Sequence, residues 1–150
     1  MNQFDIQKGI RNALTADTML TAWLASNYAG ALTIKLGNRV LKTVKPEQYP
    51  LVVVVFDPVS TGEKVRNTPH WLVENYHLEV GLFQQDVETA LQHLAELESL
   101  VTQAALNYLR GILTGADEHA EIVDRIGDAD VNHPHHFFGI KIQVRRHAAY

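Results

Sequence analysis

Between Trp71 and Leu113 the hydrophobic period of the chain changes once, and that change limits the fold more than any other feature. From Leu72 to Phe83 residues alternate, with Leu72, Tyr76, Leu78, Val80 and Leu82 in one row and Val73, Asn75, His77, Glu79 and Gly81 in the other. A period of two is the pattern of a strand with one buried face. After Gln84 and Gln85, the residues Val87, Leu91, Leu94, Leu97 (beside Glu98), Val101, Ala104, Ala105, Tyr108 and Ile112 recur at three- and four-residue steps. That spacing predicts an amphipathic helix to about Leu113, roughly 40 Å long at the α-helical rise. Asp86 is placed to cap it, because its carboxylate can accept from the free amides of the first turn. A long strand feeding a long helix is the seed of a sheet with a helix laid on it.

The flanking segments read as additions to that unit. Ile6, Ile10, Ala13 and Leu14 predict a first helix from Phe4 to about Thr15, with Gln7, Lys8, Arg11 and Asn12 on its wet side. Asp17 is the expected cap of a second, shorter helix whose apolar face is Met19, Leu20, Trp23 and Leu24, ending between Asn27 and Gly30. Segments 31–36 and 39–44 read as two short strands around the Gly37-Asn38 turn. Pro46 and Pro50 bracket the way into Leu51–Phe56, an unbroken apolar run expected to be a central strand. From 57 to 70 the chain is polar apart from Val59 and Val65 and is expected to be a long loop, mobile or ordered by a partner. Ile122 to Ile126 predicts a short strand, 127–136 a turn rich in Asp and His, and Phe138 to Arg146 a last alternating strand. With no βαβ rhythm, the expected class is α+β: a mainly antiparallel sheet, one long helix packed on it, and an N-terminal helical segment. The 150 residues suit a single domain.

Composition removes several function classes. Seventeen Asp and Glu against thirteen Lys and Arg give a formal charge of −4. A protein that grips the phosphate backbone needs a basic surface, which this balance does not supply. The chain has no cysteine, so disulfides and thiolate sites are excluded. The start, Met1-Asn2-Gln3-Phe4-Asp5, reads as lacking a secretory leader, and the longest apolar run, Leu51–Phe56, is too short to cross a bilayer.

No catalytic constellation stands out. Gly-x-Ser-x-Gly and Cys-His pairs are absent, and no carboxylate is expected in apolar surroundings. Glu79, Glu96 and Glu98 read as single charges facing water or another subunit, and His77 and His93 have no visible partner. The metal candidate is His133-Pro134-His135-His136 with Asp117 and His119 upstream, but it lacks the spacing of a zinc site, and His135 and His136 would face opposite ways on an extended segment. The run from Asp128 to Asn132 opens like a calcium loop and then fails, with His133 where glycine is needed and Gly139 where the bidentate Glu belongs. Ser60 to Lys64 lacks the full phosphate-loop pattern, and Glu63 would oppose a phosphate. No catalytic residue, cofactor or metal is therefore assigned.

The remaining signals concern assembly. Ala95, Leu100 and Leu106 lie outside the helix stripe, and Val73 and Phe83 lie on the strand row opposite the core. Either subunit contact or a fully internal helix gives that pattern. The polar stretch carrying Thr61, Glu63, Lys64, Arg66 and Asn67 is the expected place of partner recognition.

Taken along the chain, the order of these segments resembles the tail terminator (tail completion) proteins of long-tailed bacteriophages. The likeness rests on the helix Asp5–Leu14, Ala16-Asp17 before a short Leu/Trp helix, and Tyr49-Pro50-Leu51-Val52-Val53-Val54 entering a core strand. It continues with a polar loop, a strand ending in Leu82-Phe83, the helix start Val87-Glu88-Thr89-Ala90-Leu91 and a closing strand from Phe138 to Arg145. The resemblance implies a ring of identical subunits, commonly six, on the end of the tail tube. Such a ring stops polymerisation of the tube protein and joins it to the head-side connector, with DNA passing through the lumen without specific binding. Its place would be the virion tail or neck, with assembly in the host cytoplasm and no membrane partner. Two other readings stay open: another head–tail completion protein, and a small α+β ligand-binding or metal-dependent enzyme domain around the His-rich turn.

Overall fold

The computed structural model describes residues 1–28, 32–37, 45–57, 61–65, 68–127 and 134–147, with 61–65 and 68–70 described by their backbone only. Helix α1 spans Gln3–Ala16 and α2 Thr18–Asn27. Strand β1 is Thr33–Leu36; a 3-10 turn at Pro46–Gln48 and a cis Tyr49-Pro50 peptide lead into β2, Leu51–Phe56. Next come β3 (Thr61–Val65), β4 (Thr68–Phe83), α3 (Val87–Ile112), β5 (His119–Gly127) and β6 (His135–His147). The sheet has six strands in the order β1-β2-β4-β6-β5, with β3 also paired to β4. All pairings are antiparallel except β1 with β2. The class is α+β, as the periodicities predict.

Each helix starts where a side chain can accept from its first turn. Asn2 and Asp5 form a reciprocal capping box on α1, at 2.8 and 3.0 Å. Asp17 accepts from Leu20 N at 2.8 Å, and Asp86 from Thr89 N at 2.9 Å. All three helices lie on one face of the sheet: α1 over β1 and β2, α3 over β4, β6 and β5, and α2 against both helices. The core between them joins Ile6, Ile10 and Leu14 to Val52 and Val54, Tyr76 to Leu82, Leu97 to Leu109, and Ile140 to Val144. Gly37, with φ 106°, ends β1 in a conformation that a Cβ would disfavour.

Several expectations fail in detail. The polar stretch expected as a loop contains β3 and the start of β4, because its backbone can pair along β4 even though few of its side chains are apolar. The expected strand at 39–44 lies outside the described residues. Gln7 is buried, not wet: it lies beside Ile6 on the sheet-facing side and donates from Nε2 to Val54 O at 3.1 Å. Met19 is 70% exposed, and Val87 and Leu91 also reach solvent at 38% and 50%. The helix stripe is displaced because α1, α2 and β5 all pack against α3 beside the sheet, and Leu100, Leu106 and Leu109 join the shared core. The apolar residues beyond the predicted stripe are thus largely accounted for by packing within the chain, although Ala95 remains exposed.

Candidate assembly surfaces

The helix-free face of the sheet carries Leu51, Val53 and Val55 of β2, the row Val73 to Phe83 of β4, and the odd-numbered residues of β6. At one end an aromatic group forms there: Tyr49, Phe83, His135 and Phe137, with ring centroids 5.1–6.3 Å apart. Gly81 makes room for it, since a Cβ there would lie 2.9 Å from Tyr49 and 3.0 Å from Phe137. His136, one residue on, turns to the helix side, is buried, and its Nε2 lies 3.2 Å from Gln84 O. The two histidines do face opposite ways.

At the other end, β4 runs on beyond β2 and pairs with β3, from Thr61 opposite Val73 to Val65 opposite Thr68. A register shift lies between Glu63 and Lys64. Among the described residues β6 pairs with β4 as far as His147 opposite Trp71. Of the expected recognition residues, Thr61, Glu63 and Lys64 lie on β3, while Arg66 and Asn67 fall outside the described residues. At the hairpin base the Arg145 guanidinium sits 4.2 Å over the Trp71 ring, and the His147 ring lies 3.9 Å from the same indole.

Directly behind, on the helix side, is a feature contrary to expectation: Glu74 is a fully buried carboxylate. Arg146 holds it with two bonds, Nε to Oε1 at 2.5 Å and Nη2 to Oε2 at 3.2 Å, and donates from Nη1 to Met1 O at 2.9 Å. The Glu74 hydrogen bond raises Arg146 above its ordinary range, and burial opposes that rise. Tyr76, fully buried beside this pair, has a hydroxyl with no hydrogen-bond partner among the described residues. Burial, and after it the Glu74 charge, pushes its phenol far up.

Burial also raises Tyr28, Tyr49 and Tyr108. An unfolded tyrosine ionises near about pH 10. The folded chain keeps these protons to higher pH, so their contribution to stability is whole below that value and is lost as pH rises above it. The urea midpoint is therefore expected to fall steeply above about pH 10. A flat midpoint, with all native phenols titrating together, would contradict these burials.

The other polar groups serve packing. His93, expected to be alone, has Nδ1 2.9 Å from Tyr28 Oη and its ring against Trp23. Trp23 Nε1 donates to Glu96 at 2.7 Å, which with Gln92 lowers the pKa of that carboxyl. Glu98 pairs with Arg125 of β5 at 3.1 Å, and His77 lies 3.8 Å from Asp57. These carboxylates join elements of the chain and do not stand as single charges. No three His, Asp or Glu residues among those described gather closely enough for a metal. His119 pairs opposite Arg145, ten residues along β6 from His135, a separation of about 33 Å. His133 and the calcium-like run 128–132 lie outside the described residues, and Thr61 to Lys64 is extended strand, unlike a phosphate loop. No described helix is long and apolar enough to cross a membrane.

What these features define is an α+β protein whose helices cover one sheet face and whose other face carries an aromatic group at one end and the β3–β4 pairing at the other. No known family profile matches the sequence, and no curated protein does. The fold has a counterpart among solved structures: a chain described as "Virion of native gene transfer agent (GTA) particle", matched over 95% of this chain and 94% of that one. The TM-score is 0.50 and the identity 13%, a likeness of fold.

Proposed function

We propose that this chain is a structural protein of a phage-like particle, and specifically a tail terminator that closes the tail tube as a ring. The observation that carries the reading is the near end-to-end fold match to a chain of a virion particle. The order of segments, which resembles tail terminator proteins, narrows it from virion component to tube end. A role without bond-making agrees with polar groups used to join elements of the fold. In this role the β3–β4 hairpin, with Thr61, Glu63 and Lys64, meets the tail tube or the head-side connector, and copies of the chain close the ring. The net charge of −4 suits a lumen that lets DNA pass without holding it.

Electron micrographs of the purified protein are expected to show closed rings with a central opening. Light scattering should give one discrete mass, a whole multiple of 16.8 kDa. A strict monomer at every concentration and salt would sink the ring.

A further inference from the structure

We propose that β5 is an edge strand built to refuse the addition of another strand, so that copies of this chain do not join through its backbone. The inference goes beyond the ring reading and does not depend on it. Among the described residues β5 pairs only with β6 and ends the strand order of the sheet. From Val123 to Gly127 every residue of the strand is exposed. A strand in that position offers its outer N–H and C=O groups to any extended chain, a second copy included. Two apolar side chains add to the hazard, since Val123 and Ile126 are 43% and 67% exposed.

Three independent features oppose such pairing. The first is a bulge: the register with β6 shifts by one between Ile122 and Asp124, leaving Val123 with no residue opposite it. A bulge bends and twists its strand, so a regular strand cannot follow the edge across it. The second is a capped amide. Arg125 N donates to Asp124 Oδ1 at 2.9 Å, and a donor held by the neighbouring carboxylate is not offered to a new strand. The third is charge on both faces. Glu121 and Asp124 stand opposite Gln143 and Lys141, away from the helices, whereas Arg125 stands opposite Ile140 on the helix side and pairs with Glu98 at 3.1 Å. An antiparallel second β5 would gather the Glu121 and Asp124 of both copies on one face, where like charges repel.

The test removes all three features from the full chain: Val123 is deleted, and Glu121→Thr and Asp124→Thr are added. Both halves of the strand keep their faces, because the deleted residue has none opposite it on β6. Sedimentation velocity should show a new species heavier than any in the wild type, its onset at a concentration lower by about tenfold or more. Adding Ile126→Lys, a fresh charge on the same edge, should abolish that species; its persistence would place the contact elsewhere and overturn the proposal. Glu47→Gln with Glu88→Gln removes two exposed acids far from the edge and should sediment as the wild type does. The heavy species in that control would assign the effect to net charge and overturn the proposal. So would a deletion variant that is folded by circular dichroism yet keeps the wild-type distribution at every concentration. Should the deletion unfold the chain, Glu121→Thr with Asp124→Thr alone carries the same comparison, and its failure to associate overturns the guarded edge.

Discussion

Arg146→Met is expected to lower the free energy of unfolding by about 3–5 kcal/mol, read from urea denaturation. The substitution keeps much of the volume and removes the guanidinium, leaving Glu74 as a charge with no exposure to water and no partner. It also frees the Met1 carbonyl, so the start of the chain should become more accessible to proteolysis. The control is the double substitution Glu74→Leu with Arg146→Met. Replacing both ions by apolar groups removes the stranded charge, and most of the lost stability should return. If the single substitution proves neutral, the pair is not buried as described.

Leu97→Asp is the second large effect. Leu97 is fully buried in the core that α1, α3 and the sheet share, so a carboxylate there should unfold the chain at a cost of several kcal/mol. Leu91→Asp, six residues earlier on the same helix, should shift stability by less than about 1 kcal/mol, because Leu91 is half exposed. Helical periodicity alone places both residues on one stripe and predicts unfolding for either. Their difference, read as two melting curves, tests the packing directly. Leu91→Asp has a second readout: if it weakens assembly while the monomer fold persists, the surface beside β5 is a contact.

Particular residues show where local pattern suffices and where it does not. Asp17 and Asp86 are legible as caps because capping involves only the amides two or three residues further along the chain. The strand-to-helix change at Gln84 is legible for the same reason: period is local. Glu74 escapes a reading by period, although it stands in the core row between Leu72 and Tyr76, and Arg146 continues the row Ile140, Ile142, Val144. Two opposite charges at core positions are the available signal. Their meeting depends on β4 and β6 pairing with Leu72 opposite Arg146, a register that neither strand specifies alone. His93 and Tyr28, 65 residues apart, meet for a similar reason: only the packing of α2 on α3 brings them together.

By itself, then, the sequence determined the α+β class, the position of the long helix and its first cap Asp86, and which rows of β4 and β6 are apolar. Those features arise from periods of two and 3.6 and from side chains acting on their nearest amides. The tertiary structure decided that the polar stretch before β4 is a strand, that α3 turns Leu97 inwards and Leu91 outwards, and that a buried ion pair ties the first residue to the last strand. Strand pairing and helix docking act between residues far apart in the chain, so their outcome depends on which surfaces meet and not on any local pattern.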